Sequence, residues 1–316
     1  MTEAATVSAI AIGIDLGGTK IEARALAADG GELLRLRLPT PVGSGQEAYQ
    51  AVLVAIAKLV ADVEQELGQR GSVGICHPGT TSPVTGLMKN CNRVFMNGRA
   101  FEHDLSEHMG RRMAFANDAN CLALSEAIDG AGAGATTVFA VIIGTGCGGG
   151  VAVHGKVLAG PNRVAGEWGH NPLPWPAADE LPGRRCFCGQ HGCLEEWIAG
   201  PAFARDHLER TGVSLSSPEI VSAALAGDAA ASASLDRYVD RLGRALATLV
   251  NTIDPDVIVL GGGMSNVSCL YERLPPIIAS RIFSDTFTTP IRPARHGDSS
   301  GVRGAAWLGR DLAASA

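Results

Sequence analysis

The chain has 316 residues and a formal charge of −6, from 26 basic against 32 acidic side chains, with no basic run that would serve a nucleic-acid surface. That length suits one large domain or two that share a cleft. No apolar run reaches membrane-spanning length, the longest lying near residues 138–143.

Eight cysteines are too few and too scattered for a secreted disulfide scaffold of this size, and Glu3 sits where a signal peptide carries basic residues. The expectation is therefore a cytoplasmic protein with no membrane or nucleic-acid partner. Glycine, 40 of 316, gathers in short clusters without a repeat, which points to tight loops where backbone approaches a ligand.

In chain order, a strand is expected over 8–16, followed at hairpin spacing by 21–27 and 32–38, with Gly17-Gly18 and Asp29-Gly30-Gly31 as the turns. Residues 46–67 place Tyr49, Val52, Leu53, Ile56, Leu59, Val60 and Val63 at helical spacing, and Gly68 stops the helix. A strand over 72–77 ends in Pro78-Gly79. A short strand over 113–116 precedes a helix that begins at Asp118 and runs through Leu122, Leu124 and Ile128. Strands over 137–143 and 151–154 flank a second glycine loop. Helices are expected near 201–209, 218–226 and 235–253, then a buried strand over 256–260 ending in Gly261-Gly262-Gly263, and a closing helix over 302–312. This order suggests two similar α/β halves, each offering a hairpin loop to a central cleft.

Four stretches carry chemistry. In Asp15-Leu16-Gly17-Gly18-Thr19-Lys20 the glycines let backbone N–H groups approach phosphate oxygens, Asp15 could orient a magnesium-bound water, and Lys20 would offset charge. An ordinary Gly-Gly hairpin turn reads the same residues without a ligand. The loop Gly144-Thr145-Gly146-Cys147-Gly148-Gly149-Gly150 satisfies G-x-G-x-x-G, yet a strand follows it where a dinucleotide fold needs a helix. A Rossmann site is excluded on that ground, and no Walker sequence is present. Asn117-Asp118 lies at a strand-to-helix junction, where it is either a helix cap or an oriented proton acceptor held ionised by the helix dipole.

The fourth stretch spans 165–196. Cys186, Cys188 and Cys193 follow a C-x-C-x4-C spacing with turn glycines at Gly189 and Gly192. With His170 they form a Cys3His set suited to tetrahedral Zn²⁺. Four protein ligands leave no open position for a reacting water, so the metal is expected to be structural. Glu167 and Glu195 flank the ligands and would be drawn toward one place when the loop closes.

Taken together, these motifs and the Glu167-Trp168-Gly169-His170 run resemble the ROK family of sugar kinases and repressors, over nearly the whole chain. Within the family, Gly169-His170-Asn171-Pro172-Leu173-Pro174-Trp175 and the segment 296–307 look most like bacterial manno(fructo)kinases. The resemblance implies an actin-like (ribonuclease H-like) two-lobed α/β fold, with residues 1–117 plus 298–316 as one lobe and 118–297, with the zinc loop, as the other. It implies a homodimer using ATP with Mg²⁺ and a hexose. Asp118 would be the base; Asn92, Asn117, Glu167, His170 and Glu195 would bind sugar hydroxyls. Thr19, Lys20, Thr145 and Gly146 would face the phosphates, and Gly262 and Gly263 the adenosine.

The expected reaction is phosphorylation of fructose or mannose at the C6 hydroxyl, with glucose weaker and N-acetylglucosamine weakest. A glucokinase or N-acetylglucosamine kinase is the alternative. A sugar-responsive repressor is disfavoured, because the first strand starts within about ten residues of Met1, leaving no room for a helix-turn-helix domain. His77, ahead of Pro78-Gly79, departs from the aliphatic residue that relatives carry there; it is either a polar group at the sugar or a solvent-facing loop residue.

Overall fold

The computed structural model describes residues 10–91 and 93–314, and residue contacts divide the chain into two units. The first takes the described residues up to Gly130, Lys156–Ala165, and those from Ser299 on; the second takes Ala131–Gly155 and Gly166–Asp298.

The first unit opens with β1 (Ile10–Leu16), β2 (Lys20–Ala27) and β3 (Glu32–Pro39), a run of antiparallel neighbours. Helix α1 (Gly45–Leu67) follows and carries the chain back so that β4 (Ser72–His77) can lie parallel to β1. The short pair β5 (Thr80–Thr81) and β6 (Met88–Lys89) leads to α2 (Phe101–Met109), β7 (Ala114–Asn117) and α3 (Asp118–Ile128). Strand order in the sheet is β3-β2-β1-β4-β7.

Tyr49, Val52, Ile56, Val60 and Val63 of α1 recur every three or four residues and are all buried in one cluster with Ile12, Ile14, Val73 and Ile75 of the sheet. Each such side chain contributes about 1.5–3 kcal/mol of apolar burial. Gly68 ends α1 at φ 65°, where its N–H reaches the Gln65 carbonyl.

The second unit repeats the plan. Strands β8 (Thr137–Ile143) and β9 (Cys147–Val153) form an antiparallel hairpin. After β10 (Lys156–Val157), which opens a segment of the first unit, the loop 166–194 leads into α4 (Glu195–Ile198), α5 (Gly200–Thr211), α6 (Ser217–Leu225) and α7 (Ala229–Ile253). Then β11 (Val257–Gly261) lies parallel to β8. Helix α8 (Leu270–Ala279) and β12 (Ile291–Pro293), parallel to β11, complete the unit.

The last helix, α9 (Ser300–Ala314), belongs to the first unit. It lies so close on the sheet that a Cβ on Gly13 would sit 1.9 Å from the Val302 carbonyl oxygen, and one on Gly74 1.9 Å from that of Ala305. The division of the chain falls after Gly130 and not at Asp118, because α3 packs its buried Cys121 against Gly304 of α9.

Two mixed sheets with flanking helices agree with the expected α/β class. Several details differ from the sequence reading. Strand β9 starts at Cys147, inside the glycine run, because those glycines pack tightly enough to pair along β8. Helix α2 and helix α8 were not expected. The latter contains Pro275 and Pro276, and is held by Leu270, Leu274 and Ile278 buried on one stripe. Among the described residues, no helix is long and apolar enough to cross a membrane.

Candidate active site and metal centre

In the first unit the β1–β2 turn is fixed from below. Thr40 donates its hydroxyl to the Gly17 carbonyl at 2.9 Å and its N–H to the Thr19 carbonyl at 3.0 Å. The Arg93 guanidinium donates to the Gly18 carbonyl and, at 3.3 Å, to that of Pro41. Gly18, Thr19 and Lys20 themselves stay exposed. The amine of Lys20 is 3.5 Å from Glu22, which also receives Arg24, Arg35 and Arg37. Lys20 is thus partly engaged already, a partner that its sequence position did not announce.

Asp15 stands at the end of β1, opposite Cys76 in the parallel pairing with β4. Burial pushes its carboxyl up to about 6, the Cys76 thiol donating to it opposes this, and the nearby Asp118 and Glu22 charges add to the rise. Cys76 is fully buried and its thiol is hydrogen-bonded in turn to that of Cys121, both cysteines being free. Neither thiol was singled out in the sequence, since only strand register brings Cys76 under Asp15.

Asn117 and Asp118 divide their work at the start of α3. The Asn117 side-chain oxygen accepts from the Asn120 N–H at 2.9 Å as the helix cap, leaving its amide nitrogen for other partners. An Asp118 oxygen accepts from the Ala119 N–H at 2.8 Å. Asp118 is exposed, and the protein packed around its carboxyl raises it above the usual range, against the opposing pull of the Ala119 N–H.

His77 is neither exposed nor at a rim. It is 2% exposed, meets Phe101 edge-on at 5.7 Å, and lies 3.9 Å from Glu102, and burial lowers its pKa. Asn92 lies outside the described residues. Its neighbour Cys91 is fixed through both backbone groups by the Asn97 side chain, each bond 2.9 Å.

In the second unit the glycine loop and the 165–196 loop interlock. Glu195 accepts from the Cys147 N–H at 2.9 Å, and a Cβ on Gly146 would lie 2.7 Å from that carboxylate. The Trp168 indole donates to the Gly148 carbonyl at 2.9 Å, and a Cβ on Gly169 would lie 1.9 Å from the Cys147 carbonyl oxygen. Thr145 is exposed at the tip. Gly262, at φ 80°, abuts Ile143, the last residue of β8, and Gly263 beside it is open. Thr145, Gly146, Gly262 and Gly263 thus gather at one edge of this unit. Glu196, next to Glu195, is occupied by Arg205 at 2.5 Å. His170 N–H approaches the Glu167 carbonyl at 3.5 Å, so these two residues share one short turn.

The four expected metal ligands converge. One donor atom from each of His170, Cys186, Cys188 and Cys193 lies within 4.8 Å of every other. Cys186 Sγ is 3.6 Å from His170 Nδ1 and Cys188 Sγ is 3.5 Å from Cys193 Sγ. A tetrahedral zinc with bonds of about 2.3 Å to sulfur needs donor separations of about 3.8 Å, so the set fits. Phe187 closes edge-on over His170 at 5.0 Å. Glu180 in the same loop is held by two buried arginines of α7, Arg241 at 2.7 Å and Arg244 at 2.9 Å, a clamp that no sequence motif marks.

A family model described as the ROK family matches residues 11–311. The chain is 38% identical over 302 residues to N-acetyl-D-glucosamine kinase of Shigella boydii serotype 4, covering 94% of this chain and 98% of that protein. It is equally similar to N-acetyl-D-glucosamine kinase of Escherichia coli strain K12. Among solved structures, the ROK hexokinase of Thermus thermophilus superposes with a TM-score of 0.84 at 33% identity, over 97% of this chain and 99% of that one. A ROK family glucokinase from Streptomyces griseus, in complex with glucose and AMPPNP, gives 0.75 at 26% identity over 96% and 99%.

Proposed function

The chain belongs to the ROK family, and from that premise we propose that it is a sugar kinase transferring the γ-phosphoryl group of ATP to N-acetylglucosamine, at the C6 hydroxyl. The sugar expected from the sequence, fructose or mannose, gives way here. What carries the choice is the full-length likeness to N-acetylglucosamine kinases, against which a likeness of two short segments weighs little. Glucose is the second reading, supported by the likeness to the Streptomyces griseus glucokinase. The repeated plan of the two units supports the expected actin-like pair of lobes.

In this reading Asp118 accepts the proton of the attacking hydroxyl. A carboxyl raised above the usual range is a stronger proton acceptor when ionised, which suits that task near neutral pH. Asn92, the Asn117 amide, Glu167, His170 and Glu195 orient the hydroxyls. Glu195 is pre-set by the Cys147 N–H, and so does not have to be ordered when sugar arrives. The turn Gly17-Gly18-Thr19-Lys20 and the loop at Thr145-Gly146 receive the phosphates, while Gly262 and Gly263 face the adenosine. Asp15 lies beside the phosphates, where Mg²⁺ would neutralise charge developing during transfer. His170, Cys186, Cys188 and Cys193 would hold zinc, which supplies closure of the loop and no reacting group.

The test is a panel of N-acetylglucosamine, glucose, mannose and fructose with ATP and purified protein, with the phosphate position on each product determined. N-acetylglucosamine should give the highest kcat/KM. Faster turnover of fructose or mannose would restore the earlier choice, and no transfer to any hexose would remove the kinase reading.

A further inference from the structure

Of the eight cysteines, all free, Cys188 is the exposed one; Cys269 is half-buried and the other six are buried. The reactivity of a thiol depends on access, so a small oxidant in solution is directed to Cys188. It stands in the exposed run 187–191, at the tip of the metal loop. Its Sγ lies 3.5 Å from that of Cys193, which is 1% exposed. One sulfur of the pair therefore meets solvent and the other is shielded from it. Cys186, the third thiol of the set, is buried and faces His170 Nδ1 at 3.6 Å.

The backbone on the two sides differs in the same sense. Cys193 is fixed, because it bridges to Pro172 as an antiparallel pair and its Sγ donates to the His170 carbonyl at 3.5 Å. Cys188 is followed by Gly189 at φ 93°, where an added Cβ would meet nothing within 4 Å. Closing the sulfurs from 3.5 Å to a disulfide bond of about 2.05 Å needs a shift of about 1.5 Å. The open turn lets Cys188 supply that shift while Cys193 stays in place.

We propose that Cys188 and Cys193 are a modification site for hydrogen peroxide, and that their disulfide dismantles the metal set. The inference rests on the zinc reading of this loop, in which both sulfurs are held as thiolates, the nucleophilic form. The Cys188 thiolate attacks one peroxide oxygen, the O–O bond breaks, and hydroxide leaves, giving the sulfenic acid. The Cys193 thiolate then attacks the Cys188 sulfur, the S–O bond breaks, and a second hydroxide leaves. Each sulfur loses one electron, and peroxide, with two protons from solvent, becomes two waters. The disulfide withdraws two of four donors, and His170 with Cys186 alone do not complete a tetrahedral site. His170 shares a short turn with Glu167, so loss of the metal reaches residues assigned to the sugar.

The test adds hydrogen peroxide in steps to the full chain, purified with its metal, and follows released zinc with a colorimetric chelator. At each step the protein is denatured and its free thiols are capped with one alkylating reagent. Disulfides are then reduced, the freed thiols are capped with a second reagent, and fragmentation of the peptides in a mass spectrometer assigns each label. The second label is expected on Cys188 and Cys193 together, at least about 10-fold faster than on buried Cys76, Cys121 or Cys147. Zinc should leave in step, and dithiothreitol with added zinc should reverse both changes. Cys269→Ser, which removes the half-buried thiol, should leave the pattern unaltered. A second label on another pair, conversion of Cys188 to sulfinic acid without a disulfide, or zinc retained after the disulfide has formed overturns the proposal. Protein free of zinc before peroxide is added would instead refute the metal reading, and the labels would still decide whether the pair is oxidisable.

Discussion

At the scale of single residues, Asp15 and Asp118 differ in what their raised pKa values predict. For Asp118, replacement by Asn keeps size and the bond from the Ala119 N–H but deletes the proton acceptor. Asp118→Asn should lower kcat by about 10²–10⁴-fold while sugar affinity and folding persist; a near-normal kcat would show that another group is the base. For Asp15 the consequence is one of stability. An acid raised from 3.8 to about 6 keeps its proton longer in the folded chain, so the folded state binds more protons between those pH values. Stability contributed by this group is therefore lost as pH rises from about 4 to 6. Asp15→Asn should be more stable than the parent at pH 7, on the order of 1–3 kcal/mol, and not at pH 4. Melting temperatures of both proteins at the two pH values, without magnesium, check this, and a gap that does not change with pH counts against it. Asp118, Asp15 and the four metal ligands were readable in the sequence because motif and spacing mark them. Cys76 and the Arg241–Glu180 clamp were not, since strand register and a contact across 61 residues bring those atoms together.

Among elements, the loop from Ala165 to Glu196 has almost no regular structure, and its order comes from its ties. The converging side chains of His170, Cys186, Cys188 and Cys193 tie it internally, Trp168 and Gly169 tie it to the glycine loop, and Glu180 ties it to α7. Cys188 is the exposed member of the ligand set. Cys188→Ala should lower zinc content, thermal stability and sugar affinity together, with kcat at saturating sugar less affected. Elemental analysis, melting curves and KM in one series test this; full activity in metal-free protein would refute the structural role. Helices with an apolar stripe, such as α1 and α7, were legible from periodicity. Helix α8 was hidden by Pro275-Pro276, and the onset of β9 by a glycine run that reads as loop until Trp168 is packed beside it.

For the molecule as a whole, the alternation of elements made two α/β halves legible, whereas the preferred sugar was not. The two segments that resembled manno(fructo)kinases are largely occupied with packing: Gly169 and His170 with the glycine loop and metal ligands, and Val302–Trp307 with the sheet face under α9. Residues fixed by such contacts carry little information about which hydroxyl or acetamido group a pocket accepts. The position of α9 has a further outcome. Gly13 and Gly74 face a helix that is synthesised only after the second unit, so the first sheet made waits through the synthesis of that entire unit with that face bare. Chaperone demand should be concentrated in that interval, and a chain halted after residue 298 should be captured by a ribosome-associated chaperone or aggregate. Soluble, cooperatively melting protein from such a truncated message would mean that the bare face is covered in some other way before α9 arrives.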